Sequence, residues 1–485
     1  MEKDHANILD TPLRTIMNEI FTASRRRFIF GLISVLLLFL FLQYTLHILA
    51  PSSKRKDNIV WWTALSTLTV EEGIFNVWTP YPPIFPLMHY GSLRAITTPV
   101  ERDLLITHFF DENERPESAE TTMTILTRME SLWSLMNAVV LFSISVLVFL
   151  LTRAMFPLPR AILAALGFLL FHLTWNGRIL LGISMDQFDF LPVFFLLVGA
   201  YFLLQKRHVP IGIAIGIGTM LKIFPFILLP ITLFTVRTVH ARLMVIAVVA
   251  LTIGFIAMPF MVKNPAIFLA TYQWTAARPG WESVWSYDPQ HPFRHPFPPM
   301  PDAEEMRNLF LYPYHDARIT LRSGEVLRGE VVSENGTMVV FVPQKDDAIR
   351  IPRSTIKNLR RNEPRRLHDF LLPLFTIALL IGLPLIFRAK LTTPSGVLRC
   401  LLLSVLILLL LSKGVSAYFF LWFTPFLFVL YHPAIAGMIF GTLLLIGNAE
   451  YITMASGFSW FWPSILMREM IFAILGVHQL WMLHK

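Results

Sequence analysis

Long apolar runs recur along this chain, and they constrain its fold more than any other feature. From Phe28 to Ala50 the sequence is almost uninterruptedly apolar. A helix needs roughly 20 such residues to cross a hydrocarbon core about 30 Å thick. Further runs follow at 132–152, 161–177, 188–205, 210–221, 223–236, 242–262, 369–388, 397–412, 418–431, 434–452 and 465–483. Together they predict an all-α polytopic membrane protein of about twelve helices. Several runs fall short of a full crossing. The pair 210–221 and 223–236 reads as two half-helices or as one helix broken at Pro225. Of 485 residues, 55% are hydrophobic and only 15% charged, whereas soluble proteins carry about 25% charge. That excludes a water-soluble globular enzyme and a disordered chain.

The charged residues orient the runs. Arg25, Arg26 and Arg27 precede the first run, so 1–27 is read as a cytoplasmic segment and 28–50 as a retained transmembrane helix. Counting onward, Arg153, Arg160, Lys206, Arg207, Arg237, Arg242, Arg388, Lys390 and Arg399 all fall in short loops on that same side. The C-terminus is expected there too. The +9 net charge therefore reads as a topology signal rather than a nucleic-acid surface. The one cysteine, Cys400, allows no intramolecular disulfide and no cysteine-based metal site.

Two polar segments are then extracytoplasmic, 51–131 and 263–368. The first is expected to carry amphipathic helices before a transmembrane core at 132–262. The second divides into a linker, 263–315, and a β-rich module, 316–361. The last transmembrane helices occupy 362–485. In the module, Arg318–Arg322, Glu325–Ser333, Thr337–Val342 and Ala348–Ile351 alternate as strands do, with turn signals at Ser323-Gly324 and Asn335-Gly336. The pattern is similar to small Sm-like or SH3-like barrels. No Gly-rich phosphate cradle is present, and the cytoplasmic loops are too short for a nucleotide-binding domain.

Candidate chemistry begins at Asp57, just beyond the first helix, where a lipid headgroup would be presented. Trp61, Trp62, Trp78 and Tyr81 suit the membrane interface. The bland alternative for Asp57 is a solvated loop carboxylate, and for Glu71 and Glu72 a solvated helix face. Asp186 and Asp189 flank Gln187 ahead of an apolar run, where helix capping competes with a role in a site. Lys222 sits between two short apolar runs, and an ionisable group there is a functional candidate, against snorkelling. Lys413, Arg178 and Arg278 are further cations on the outer side. His291 and His295 lie in a Pro-rich stretch. No His, Asp or Glu grouping has metal-ligand spacing, so no metal and no cofactor are expected.

These pieces carry a resemblance. An outer Asp57, an amphipathic segment, Gly73 and then Tyr81-Pro82-Pro83-Ile84 resemble the GT-C superfamily of membrane glycosyltransferases. The likeness is to the bacterial polyprenol-phosphate-mannose-dependent mannosyltransferases. Met185-Asp186-Gln187-Phe188-Asp189, the Gly216–Pro225 run ending in Lys-x-x-Pro, and Ser412–Tyr418 with Trp422 and Pro425 agree with it. The resemblance implies transfer of a hexose from a polyprenyl-phosphate donor to a lipid, glycan or protein acceptor, with inversion, at the outer face of a bacterial plasma membrane. It implies no metal. Asp57 would be the base, and Lys222, Lys413, Arg178 and Arg278 would hold the donor phosphate. Tyr81, Asp186, Gln187, Asp189, His291 and His295 would line the substrate site. The β-module departs from the pattern and bears on the acceptor. Two other readings remain: a flippase or transporter of lipid-linked sugars, and a non-catalytic GT-C-like subunit of a glycolipid-processing complex.

Overall fold

The computed structural model describes residues 56–77, 79, 81–110, 116–176, 189–277, 316–334, 338–343, 349–361, 367–412, 417–456 and 461–485. The expected first helix at 28–50 lies outside the described residues. Helices α1 (Lys56–Glu72), α2 (Ile84–Ile96) and α3 (Pro99–Phe110) come first. They pack with the first half of α4 (Pro116–Arg153) around Leu65, Leu68, Phe85, Leu93, Leu105, Ile125 and Trp133. The buried face of α1 also carries Ser66, Thr67 and Thr69. Their hydroxyls donate to carbonyls four residues earlier, which satisfies them without leaving the helix. At the start of α3, Thr98 and Glu101 cap each other's backbone N–H. Glu101 also pairs with Arg128 of α4 at 2.7 Å.

The 38 residues of α4 make a rod of about 57 Å, nearly twice the thickness of a hydrocarbon core of about 30 Å. One end therefore belongs to the N-terminal helical layer and the other to the main bundle. The bundle continues with α5 (Leu158–Asn176), α6 (Phe190–Leu204), α7 (His208–Leu221), α8 (Leu228–Thr235), α9 (Val239–Lys263) and α10 (Pro265–Ala277). After the sheet come α11 (Leu367–Ile386), α12 (Pro394–Leu410), α13 (Thr424–Leu430), α14 (Pro433–Ser456) and α15 (Phe461–His484). Proline opens α4, α10, α12 and α14, where its missing N–H costs nothing. One large core binds α4–α8 to α12–α15 through Phe168, Leu197, Leu228, Leu402, Phe420 and Phe428.

Three helices are long and apolar enough to cross a membrane: Ser118–Arg153 within α4, Val239–Lys263 and Pro463–His484. Seven further apolar helices are shorter. About twelve apolar helices were expected, several too short for a full crossing; the described residues show three long ones and seven shorter apolar segments. Helices α5, α11 and α14 run for 19, 20 and 24 residues in full. The side chain of Phe255 on α9 is 84% exposed, a face that lipid would cover without penalty. The run 210–236 is indeed broken, but ahead of Pro225. Helix α7 ends at Leu221, Lys222 is extended (φ −159°, ψ 140°), and Phe224–Ile227 forms a short 3-10 turn leading into α8.

The polar insertion forms one antiparallel sheet of β1 (Asp316–Leu321), β2 (Val326–Glu334), β3 (Met338–Pro343), β4 (Ile349–Pro352) and β5 (Ile356–Arg361). The strand order is β4-β3-β2-β1-β5, around buried Ile319, Val339, Phe341, Ile351 and Ile356. The expected closed barrel is not what forms. Strands β4 and β5 are the two edges, and among the described residues no ladder joins them. Strand β4 has four residues and ends at Pro352, which has no N–H to donate. The chain then turns through Arg353–Thr355 before β5 starts. That fifth strand was not expected.

Candidate functional site

The break after α7 places a charged side chain inside the bundle. Lys222 Nζ lies 2.6 Å from Asp189 Oδ1. Asp189 immediately precedes α6 yet makes no side-chain cap there, so the capping role weighed from sequence is not the one it fills. Its Oδ1 also accepts a 2.9 Å hydrogen bond from Trp422 Nε1. The carboxylate is fully buried, and among the described residues its second oxygen, Oδ2, has no hydrogen-bond partner. A buried carboxylate oxygen without a donor is costly.

Aromatic rings surround the ammonium. The centroids of Phe419, Trp422 and Tyr81 lie 4.5, 5.0 and 5.5 Å from Lys222 Nζ, within cation–π range. Trp422 is itself sandwiched, stacking on Phe224 at 4.0 Å and Phe419 at 4.3 Å. The ring plane is thereby fixed, and with it the N–H that Asp189 receives. Four stretches far apart in sequence meet here: the Tyr-Pro-Pro segment, the turn before α6, the end of the Gly-rich run, and the aromatic 3-10 segment Ala417–Trp422.

Each stretch has a local reason for its place. Thr79 Oγ1 donates to Tyr81 O at 2.7 Å, and Thr271 Oγ1 of α10 donates to Thr79 O at 2.7 Å. This pins the Tyr81 turn. Tyr81 also packs against Phe85 and Trp62. Behind these rings His89 is wholly buried, 3.0 Å from Ser66 Oγ through Nδ1 and stacked on Trp133. Burial without a charged partner pushes its pKa down to about 3, so it is neutral at any ordinary pH. The Gly-rich run serves close approach. A Cβ on Gly216 would lie 2.6 Å from Thr252 of α9, and one on Gly218 2.9 Å from Pro225. The glycines let α7 lie against α9 and let the chain fold back at Lys222.

Asp57 lies in the first turn of α1 rather than in a loop, because the helix begins at Lys56. Its side chain lies outside the described residues. So do Arg178, Asp186, Gln187, Arg278, His291, His295 and Lys413. Of the expected site residues, the structure brings together Tyr81, Asp189 and Lys222. Sequence reasoning missed Phe224 and Phe419 as ring partners. It also missed Arg468, fully buried and 3.2 Å from Glu469. One turn further along α15, Phe472 packs edge-on to Phe420 and Phe423. An Arg-Glu pair inside an otherwise apolar run was the available signal.

No curated protein and no solved structure matches the chain. The model of glycosyltransferase family 87 matches residues 122–294. That region contains Asp189 and Lys222, while Tyr81 and Trp422 reach the cluster from outside it. Residues 122–294 are therefore similar to glycosyltransferase family 87, a GT-C-type family of membrane mannosyltransferases, over about a third of the chain.

Proposed function

We propose that the protein moves a hexose, mannose by resemblance, from a polyprenyl-phosphate donor to a lipid, glycan or protein acceptor at the extracytoplasmic membrane face, with inversion. One observation carries the reading. The cluster of Lys222, Asp189, Tyr81, Phe419 and Trp422 draws on all four stretches that resemble the family. Lys222 Nζ donates to Asp189 Oδ1 at 2.6 Å, so the ammonium is held in a fixed place. Lys222 is suited to meet a phosphate oxygen, with Asp189 fixing its direction and the rings giving an apolar border to the isoprenoid.

In this reading a carboxylate, Asp57, takes the proton from the acceptor hydroxyl. The hydroxyl oxygen attacks the anomeric carbon, the bond from that carbon to the phosphate oxygen breaks, and polyprenyl phosphate leaves with the electron pair. Phosphate is a good leaving group, so cations that hold it matter more than a strong acid. Arg178, Arg278 and Lys413 are proposed to supplement Lys222. Asp186, Gln187, His291 and His295 are proposed to line the substrate site.

The test incubates purified protein with labelled polyprenyl-phosphate mannose and a membrane-lipid extract, and identifies new glycosylated species by mass spectrometry. Asp57→Asn should insert normally and lose transfer, by about 10²–10⁴-fold if it is the general base. Undiminished transfer by that variant removes Asp57 from the role. Label that crosses the bilayer without a covalent product would establish a flippase instead.

A further inference from the structure

The sheet carries an arrangement of like charges that its own stability opposes. Arg318 of β1 stands opposite Arg328 of β2 on one side and Arg360 of β5 on the other. Three arginine positions form a row across three adjacent strands. At a strand spacing of about 4.8 Å the row spans about 10 Å. Like charges directly opposed in an antiparallel pair destabilise it, and here two such pairs share one residue.

The row's place on the sheet follows from period-two alternation. The neighbouring position, Ile319, is fully buried with Val339, Phe341 and Ile351, so the arginine positions belong to the opposite face. On that face Val326, Arg350 and Asn358 are exposed, and Thr320 between two of them is half-buried. Asp316 and Glu330 oppose each other one step along the same face, so an acid row borders the arginine row. A second group of exposed cations, Arg322, Arg353 and Lys357, gathers at one corner. There the Arg322 N–H donates to Thr355 O at 2.8 Å. Residues 316–366 hold eleven Lys and Arg against seven Asp and Glu.

The chain itself indicates what meets this charge. Strand β5 ends at Arg361 and α11 begins at Leu367. The connection contains Arg365 and Arg366. Even fully extended, it holds the end of β5 within about 22 Å of the start of α11. From Pro373 to Ile386 that helix is apolar. Basic groups beside a membrane helix attract anionic lipid, and guanidinium forks match phosphate oxygens in pairs. We propose that the arginine-bearing face of the sheet is a contact surface for the anionic lipid headgroups of the membrane in which α11 sits.

The experiment uses the full chain in nanodiscs of zwitterionic lipid or of lipid containing an anionic phospholipid. Amide hydrogen exchange is read over β1 and β5. Anionic lipid should raise protection, by about fivefold for each engaged arginine and on the order of a hundredfold for three. Salt at about 0.5 M should reverse the gain. Arg318→Gln/Arg328→Gln/Arg360→Gln should lose the lipid dependence. In zwitterionic discs it should be at least as protected as wild type, since the repulsion is gone. Arg318→Gln alone removes both opposed pairs and is read the same way. Equal wild-type protection in the two lipids overturns the proposal. So does a lipid-dependent gain that survives the triple substitution, or protection that appears only when a soluble protein or glycan is added.

Discussion

Removing the Lys222 ammonium separates a site from a strut. Asp189 is fully buried, its Oδ1 is shared between Lys222 and Trp422, and among the described residues its Oδ2 has no donor. Lys222→Met leaves that carboxylate with a single neutral N–H. Breaking a buried ion pair from one side costs about 3–5 kcal/mol. The Lys222 side chain keeps 13% exposure, so the lower end applies, about 3 kcal/mol, or roughly two decades in the folding equilibrium. Asp189→Asn/Lys222→Met removes both charges, and should recover most of that loss because a neutral pair has no buried charge to strand. Thermal unfolding in nanodiscs measures the stability, and transfer from labelled polyprenyl-phosphate mannose measures the function. Both variants should transfer poorly, with a raised KM for the donor. Wild-type transfer by the refolded double variant would refute the reasoning, since the pair would then hold only the fold. Unchanged stability and transfer in Lys222→Met would refute it more simply.

Three further outcomes follow from the same contacts. Trp422→Phe keeps the stacking on Phe224 and Phe419 but loses the N–H to Asp189, and should cost about 1.5–3 kcal/mol in unfolding experiments, as hydrogen bonds to charged groups do. His89 is held neutral with a pKa near 3 against an ordinary 6.5. The unfolded chain therefore binds the extra proton first, and stability present above about pH 6.5 should fall by at most about 1.4 kcal/mol per pH unit as pH drops towards 3; His89→Phe should flatten that part of the pH profile. Gly216→Ala meets Thr252 at 2.6 Å, whereas Gly254→Ala meets nothing within 4 Å. The first should destabilise by about 1–3 kcal/mol, and the second should not. Equal melting behaviour of the two would place the close approach of α7 and α9 in doubt.

The helical class was legible in the apolar runs, because burying a backbone in lipid leaves a helix almost no competitor. The lengths were less so. The sequence left two forms open, half-helices at 210–221 and 223–236 or one helix broken at Pro225; the break falls at Lys222, between the two halves, with Phe224–Ile227 already in a 3-10 turn. In the sheet, β1 to β4 showed alternation and turn residues. Strand β5, Ile356–Arg361, reads Ile-Lys-Asn-Leu-Arg-Arg and offers only two apolar positions, so nothing but its pairing with β1 makes it a strand. Closure into a barrel depends on edges meeting across the sheet, and no local pattern encodes that. At the site, residue types were readable and pairings were not. Lys222 stood out as a charge in an apolar region, but its partner lies 33 positions away and the ring donor another 200 beyond.

The helix break, the glycines and the charge cluster are parts of one physical solution. An ammonium inside an apolar bundle needs a backbone that can leave the helix to present it, an anion to hold it, and a border that keeps water from screening it. The break at Lys222 supplies the first, since an extended residue turns the side chain off the α7 axis. Such a break is tolerable only if the chain folds back tightly, and Gly218 against Pro225 permits that fold. Asp189 supplies the anion from the turn before α6, and α6 packs directly on α7. Phe419, Trp422 and Tyr81 supply the border. Remove the glycines and the break cannot close; remove the break and Lys222 would lie in line with a helix whose flanking residues, Met220 and Leu221, are buried in apolar packing. A charge maintained by so many separate concessions is poor economy for a fold alone, and it is intelligible if an anionic group arrives to use it.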